Sequence, residues 1–232
     1  MRHHITAILW KQLRDTMKNK TILIQFVMFP FMTLIMENAI EIQNMPEHFF
    51  ANLFAVMYVG MAPLTSIAAV IAEEKEKNTL RVLQLSNVKA LEYLLGNAIY
   101  IFLMCMAGSV VIGLAGGYQN KELFAFFAVM AIGHMISILL GATIGVISKN
   151  QMGATSLTVP VMMVFSFLPM LSMFNDTIAK VAKVVYSQQL HLLMQNLAQI
   201  TVSSECVSVL AGNAAAVIAL FMIAYRKVFV LS

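Results

Sequence analysis

The chain is 232 residues long, with 60% hydrophobic and 11% charged residues and a mean hydropathy of +0.81. Soluble domains carry about 25% charged residues, so this composition excludes an ordinary soluble protein and predicts an integral membrane protein. The length allows a single domain over residues 1–232. The formal net charge of +4 is unevenly spread, and two cysteines, Cys105 and Cys206, are too few for a disulfide framework.

Residues 1–20 predict an interfacial helix. The segment is basic, because it carries five Lys or Arg residues and one acid, Asp15. Helical spacing places a set of apolar residues on one face: Ile5, Ile8, Leu9, Leu13 and Met17. We expect this face to lie in the headgroup layer of the bilayer, with Trp10 near the boundary.

Six apolar stretches are long enough to cross a membrane, since a spanning helix needs about 20 residues. They are Thr21–Ile40, Phe49–Ala72, Tyr93–Tyr118, Leu123–Ile147, Ala154–Phe174 and Glu205–Tyr225. Spans one and two thus occupy residues 21–72, spans three to five 93–174, and span six 205–225. The first span contains Pro30, which is tolerated because neighbouring helices satisfy the freed backbone groups. The predicted fold class is an all-α integral membrane protein with six transmembrane helices.

An acidic rim closes the first span. Glu37 and Glu41 lie four residues apart, and Asn38 and Glu47 extend the cluster. A cation or a basic substrate is one interpretation of this rim, but a solvated helix end is the favoured one.

Residues 73–92, which we call the coupling segment, hold the densest charge in the chain, from Glu73 to Lys77 in succession. Behind the charges, leucines and a valine recur at roughly helical spacing: Leu80, Leu83, Val88, Leu91 and Leu95. Ser86 and Asn87 interrupt the run as a predicted turn or helix start. The pattern predicts a short amphipathic element at the membrane surface, open to the aqueous side.

The coupling segment is similar to the cytoplasmic loop between the second and third spans of ABC-2 type transporter permeases. There, an E-[RK]-E-x-G-T-L-E-x-L-x-x-S-P pattern leads into a coupling helix. The matching positions are Glu74, Lys75, Glu76, Thr79, Leu80, Leu83 and Ser86. Asn78 stands where the family has Gly, and Asn tolerates the positive φ of such a position. Arg81 replaces a frequent Glu, and Asn87 a common Pro.

The resemblance implies a transmembrane subunit on which a separate ABC ATPase docks. It assigns ATPase coupling to Glu73, Glu74, Glu76, Thr79, Leu80, Leu83 and Ser86. The ATPase partner is then expected to bind ATP and Mg, and this chain no cofactor. The pore is expected to be a homodimer, or a heterodimer with a related permease. The N-terminal helix is expected along the inner membrane face, near the ATPase.

His134 is the ionisable residue nearest the middle of a span. An ionisable group at that depth is a candidate functional group. The favoured alternative is a neutral imidazole bonded to a neighbouring helix, because a single His forms no proton relay. Small-residue spacings predict close helix packing in three places: Gly113–Gly117, Gly141–Gly145, and Ser208, Gly212 and Ala216.

The fifth span combines Pro160 and Pro169 with several Met and Phe residues. In the family, the second and fifth spans of two subunits line the central route, and bulky apolar residues act as a gate. The resemblance therefore assigns the cargo path to Asn52, Met57, Thr65, Phe165, Phe167 and Met170. Ordinary packing or lipid contact is an equally good interpretation of each one.

Residues 175–204 form an amphipathic segment after the fifth span. We expect short helices that lie in or re-enter the outer leaflet, which the resemblance also implies. Orientation follows from the Lys and Arg residues. With a cytoplasmic N-terminus, the inside segments hold twelve of them and the outside segments three. The positive-inside rule then predicts that both termini are cytoplasmic.

Sequence motifs argue against an enzyme. No glycine precedes a lysine, so the chain contains no Walker A loop, and the histidines lack metal-ligand spacing. No nucleic-acid partner is expected. The function predicted is the permease of an ATP-driven exporter of amphipathic or hydrophobic cargo, such as an antimicrobial peptide, a drug or a lipid, in the cell membrane. The alternatives are a membrane anchor or sensory subunit that recruits an ATPase, and, last, a stand-alone ion-coupled carrier.

Overall fold

The computed structural model describes residues 2–40, 46–79, 85, 88–197 and 203–230. Within them the α-helices are α1 Arg2–Lys18, α2 Lys20–Ala39, α3 Phe49–Glu76, α4 Ala90–Ala115, α5 Asn120–Ile147, α6 Gln151–Ser172, α7 Asp176–Ala182, α8 Tyr186–Met194 and α9 Ser204–Tyr225, continued by a π-helical segment Arg226–Val230. The described part of the chain contains no strand. The predicted all-α class is confirmed.

Helices α2, α3, α4, α5, α6 and α9 are each long and apolar enough to cross a membrane. They coincide with the six predicted spans. Among the helix ends that border the coupling segment, the end of α3 differs most from its predicted position. This helix continues past the predicted Ala72 to Glu76, because Glu and Lys are good helix formers. Asn78, with a φ of 55°, adopts the left-handed conformation expected for the family's Gly position.

Helix α3 is the centre of the bundle. Of the most apolar part of this helix, 78% is buried, against 11% for the last span. It contacts α2, α4, α5, α6 and α8. The final helix α9 lies at the edge, against α5 and α8. Any movement of α3 must therefore be accommodated by most of the other spans.

The interfacial helix α1 packs against α4 and α2. Its buried face consists of Ile8, Gln12 and Thr16, and Ile8 lies over Gly96 of α4. The predicted apolar face differs in part, because Leu13 and Met17 are exposed. Trp10 is 70% exposed as well. The helix thus turns a mixed face inward and leaves Trp10, Leu13 and Met17 exposed. Its place in the headgroup layer stays a prediction.

The connection between the fifth and sixth spans contains the short helices α7 and α8, as expected. Tyr186 anchors α8 in the bundle, since its hydroxyl lies 2.7 Å from Ser137 Oγ of α5. His191 Nε2 lies 3.1 Å from the Gln195 amide nitrogen, which donates to it. Burial lowers the pKa of His191 to about 4, so this histidine is neutral at physiological pH. Insertion of these helices into the outer leaflet stays a prediction.

Glycines on α5 allow it to approach α3 closely. A Cβ at Gly141 would lie 2.2 Å from the Leu64 carbonyl oxygen, and one at Gly145 would lie 2.9 Å from Ile71 Cβ. The close packing predicted for this pair is confirmed. By contrast, a Cβ at Gly212 would meet nothing within 4 Å. The small residues predicted to pack in the last span therefore have no such neighbour at Gly212 in the described part of the chain.

These glycines give a matched test of helix packing. Gly141→Ala forces a side-chain carbon against the α3 backbone, so we expect it to lower the free energy of unfolding by about 1–3 kcal/mol. Gly212→Ala faces open space and should be neutral or slightly stabilising, because Ala favours helices. Thermal denaturation of both variants in detergent measures the difference. Equal melting temperatures would contradict the packing of α5 on α3.

Candidate functional site

Glu74 links the interfacial helix to the end of α3. This glutamate is only 7% exposed, although it lies in the most charged stretch of the chain. Its Oε1 atom forms an ion pair with Lys11 Nζ and accepts a hydrogen bond of 2.8 Å from Gln12 Nε2. Gln12 is itself buried. A buried carboxylate is tolerated only when paired in this way, so the contact fixes α1 against α3.

The next two residues tie the same end of α3 to two other spans. Lys75 Nζ donates to the carbonyl oxygens of Val146, at 2.6 Å, and Ser148, at the end of α5. Glu76 Oε2 accepts a 2.9 Å hydrogen bond from the Gln151 backbone N–H, at the start of α6. Each contact pairs backbone groups that a helix end leaves without a partner. Lys75 meets the carbonyl end of α5 and Glu76 the amide end of α6, and the helix dipole favours these charges at these ends.

We call this set of contacts the inner junction: Lys11, Gln12, Glu74, Lys75, Glu76 and Gln151. It joins α1, α3, α5 and α6 at the end of the bundle that is predicted to be cytoplasmic. The predicted coupling residues include Glu74 and Glu76, but not Lys11, Gln12, Lys75 or Gln151. The only signal for Gln12 was its position four residues after Ile8, which places it on the same helix face.

Glu73 and Lys77 form a separate, exposed ion pair next to the inner junction. The Lys77 side chain is 66% exposed. The carboxylate of Glu73 raises the pKa of Lys77, so the amine stays charged at physiological pH. Exposed pairs of this kind add little stability. Both charges are therefore accessible to a partner protein at the end of α3.

The residues predicted for ATPase coupling fall into two groups. The structure places Glu73, Glu74, Glu76 and Thr79 together at the end of α3. Thr79 is partly exposed beside a cavity of about 600 Å³ between α1 and α3. Leu80, Leu83 and Ser86 lie outside the described residues. Their predicted role in coupling stays a prediction.

Two of the residues predicted for the cargo path lie where α3 meets α6. A Cβ at Gly60 would come within 2.7 Å of Ser166 Oγ, and this hydroxyl donates to the Met57 carbonyl oxygen at 3.2 Å. Phe165 is adjacent in α6, and its ring packs on Tyr186 of α8 at a centroid distance of 4.8 Å. We call the contact between Gly60 and Ser166 the α3–α6 seam. It is closed in this structure.

The other residues predicted for the cargo path are spread along the bundle. Asn52 is buried and accepts a 2.6 Å hydrogen bond from Tyr118, in the connection between α4 and α5. Thr65 lines a polar cavity on the other side of the seam. Phe167 is exposed, and Met170 is half-buried. The structure thus brings Met57 and Phe165 to the seam, and it engages Asn52 elsewhere.

His134 matches its favoured, structural interpretation. The residue is fully buried, and its Nε2 atom lies 2.9 Å from Ser109 Oγ on the neighbouring helix α4. The ring of Tyr58 packs edge-on against it. Among the residues that the structure describes, no group of three His, Cys, Asp or Glu side chains is arranged to hold a metal ion.

The outer acidic rim also has a structural role. Glu37 Oε1 accepts a 2.7 Å hydrogen bond from the Ala51 backbone N–H in the first turn of α3. A carboxylate at a helix start is favourable because it pairs an orphan N–H and complements the dipole. Glu41 lies outside the described residues. This contact of Glu37 with α3 corresponds to neither of the two predicted interpretations, a cation site and a solvated helix end.

Six helices long and apolar enough to cross a membrane, with an amphipathic helix and a charged junction at one end of them, are typical of a multi-pass membrane protein. The sequence model of the ABC-2 family transporter proteins matches residues 4–226. The chain therefore belongs to the ABC-2 family and is a membrane permease subunit of an ABC transporter, as the coupling segment indicated. No curated protein matches the sequence.

The inner junction predicts unequal effects for neighbouring glutamates. Glu74→Ala leaves the buried Gln12 amide and the Lys11 charge without their acceptor, so we expect a loss of about 2 kcal/mol in the free energy of unfolding. Thermal denaturation in detergent, followed by the emission of Trp10, the single tryptophan, measures this loss in α1 itself.

Glu73→Ala is the control, because it removes an exposed pair and should cost less than about 1 kcal/mol. If both variants lost the same stability, the inner junction would not hold α1 in place.

Proposed function

We propose that the chain is the permease subunit of an ATP-driven exporter. Its cargo is amphipathic or hydrophobic, such as an antimicrobial peptide, a drug or a lipid, and it crosses the cytoplasmic membrane outward. Separate ABC ATPase subunits bind ATP and Mg and supply the energy. The observation that carries this proposal is the inner junction, which connects α1 and two spans, α5 and α6, to one end of the central helix α3.

The coupling mechanism follows from the geometry of α3. With 28 residues the helix is about 42 Å long, so it extends from the inner junction to the outer end of the bundle. Pro63 lies within it, beside the seam at Gly60. A proline removes one helical hydrogen bond and favours a bend. A displacement of the junction is therefore expected to bend α3 near Pro63 and to separate α3 from α6.

The docking surface for the ATPase is proposed at the exposed charges beside the junction. Glu73 and Lys77 present charges at the end of α3 without needing to break the buried contact of Glu74. Complementary charges at such a surface set partner choice and association rate more than total affinity. With both termini cytoplasmic, as the Lys and Arg distribution predicts, this surface is on the side where ATP is available.

The complete pore is proposed to be a dimer of permeases, either two copies or this chain with a relative. Large apolar side chains on α2 and α6 are exposed in the single chain, among them Val27, Phe31, Met163 and Leu171. Lipid or a second permease subunit covers such faces in a membrane. A membrane anchor or sensory subunit would need the docking surface but no path through the spans.

The docking surface predicts that charge inversion abolishes ATPase binding without unfolding the chain. The double variant Glu73→Lys, Lys77→Glu keeps an i,i+4 ion pair but reverses both signs. We expect at least tenfold less of a candidate ABC ATPase to be retained on the tagged permease, and an unchanged melting temperature. Lys180→Glu, an exposed change on α7 at the opposite end of the bundle, should retain the wild-type amount.

The same complex separates transport from anchoring. In reconstituted vesicles, a permease should show ATP hydrolysis that increases with cargo, whereas an anchor should retain the ATPase without any such increase. Equal ATPase retention by the inverted and wild-type permeases would contradict the proposed docking surface.

A further inference from the structure

A cavity of about 260 Å³, lined by polar and apolar residues, lies between the first, second and fifth spans. Its polar lining residues are Asn19, Gln25, Thr65, Gln151, Thr155 and Thr158. Asn19 and Gln151 stand at the predicted cytoplasmic ends of α2 and α6. Met162 lines the other end, about 16 Å further along α6 at 1.5 Å per residue. The cavity therefore reaches from the inner surface to about the middle of a 30 Å hydrocarbon core.

The threonines of the cavity present hydrogen-bond acceptors. Thr155 Oγ1 donates to the Gln151 carbonyl at 3.0 Å, and Thr158 Oγ1 donates to the Ala154 carbonyl at 2.9 Å. A hydroxyl has one proton and two lone pairs. Because both protons are used within α6, the oxygen atoms have only acceptor capacity left for a molecule in the cavity.

Gln25 and Thr65 extend this polar wall across α2 and α3. Gln25 Oε1 lies 2.9 Å from Thr65 Oγ1 and 3.0 Å from Ser66 Oγ. Thr65 Oγ1 also lies 2.7 Å from the Met61 carbonyl, to which it can give its single proton. The amide oxygen of Gln25 accepts from Ser66 Oγ, which holds this side chain between α2 and α3. The Gln25 amide is therefore a polar group at a depth where the surrounding lipid tails are apolar.

The cavity carries no charge and stops at the α3–α6 seam. Among the described residues that line it, none is Asp, Glu, Lys or Arg. A charged group would have to give up its hydration there without a counter-ion, at a large cost in free energy. The seam between Gly60 and Ser166 lies just beyond Met61, so a molecule in the cavity is at the closed point of the proposed path.

We propose that this cavity is an intake site for an uncharged, hydrogen-bond-donating part of the cargo, such as a primary amide or a hydroxyl. This inference rests on the proposed function as a permease and specifies the chemistry of its inner site. The threonine oxygens accept from the donor, the methionine and valine side chains contact its apolar neighbours, and the volume admits one group of a larger molecule.

The test uses two probes, dansyl-phenylalaninamide and its N,N-dimethylamide, in which two methyl groups replace the two amide N–H donors. Binding is measured by dansyl fluorescence on the whole permease in lipid nanodiscs, without an ATPase. The double variant Thr155→Val, Thr158→Val removes both oxygens and keeps the side-chain shape. The control is Thr143→Val on α5, which removes a threonine with the same intrahelical bond, to Leu139, away from the cavity.

We expect the double variant to weaken binding of the primary amide about tenfold, as one to two neutral hydrogen bonds imply. Binding of the dimethylamide should stay unchanged, and Thr143→Val should affect neither probe. An equal loss for both probes would overturn the inference, because it would reflect altered packing. Absence of saturable binding of the primary amide to the wild type would overturn it as well.

The outcome is independent of the ATPase experiment. Retention of an ATPase without selective amide binding would contradict the proposed intake site, but it would not contradict the proposed permease function. Selective amide binding without cargo-stimulated ATP hydrolysis would support the intake site and defeat ATP-driven transport.

Discussion

The structure depends on one buried carboxylate. Glu74 lies almost out of contact with solvent at the end of the central helix, and Lys11 and Gln12 of α1 both bind its Oε1 atom. Removing a partner from a buried charge is far more costly than removing an exposed pair. For this reason α1 is held at one position against α3, and the charges on either side of Glu74 are free to serve other contacts.

Helix α3 extends from the Glu74 contact along the length of the bundle and packs against most of the other spans. Lipid tails are as apolar as the side chains, so spans associate through close packing and hydrogen bonds. Gly60 and Gly141 provide this packing on two sides of α3, against α6 and α5. Along α3 the charged residues are those from Glu73 to Glu76, and uncharged amides and hydroxyls line the cavity further along the bundle. The two proposed roles, coupling and cargo contact, are thus assigned to different parts of one helix.

Much of the fold was predictable from the sequence, because a bilayer imposes strong requirements on length and polarity. Six apolar stretches gave six helices, and Asn78 took the left-handed conformation of a family glycine. The Gly141–Gly145 spacing correctly indicated a close helix contact. These features are local, since each depends on a few neighbouring residues and on the solvent around them.

The partners of side chains came only from the tertiary structure. The charge run from Glu73 to Lys77 indicates a functional surface, yet nothing local shows that Glu74 turns inward to Gln12 while Glu73 stays exposed. Neither does spacing show that Gln25 and Thr158 border one cavity. The sequence by itself determined the membrane class, the spans and the family. The packing of α1, α2 and α6 around α3 decided which polar groups meet, because those contacts join residues far apart in the chain.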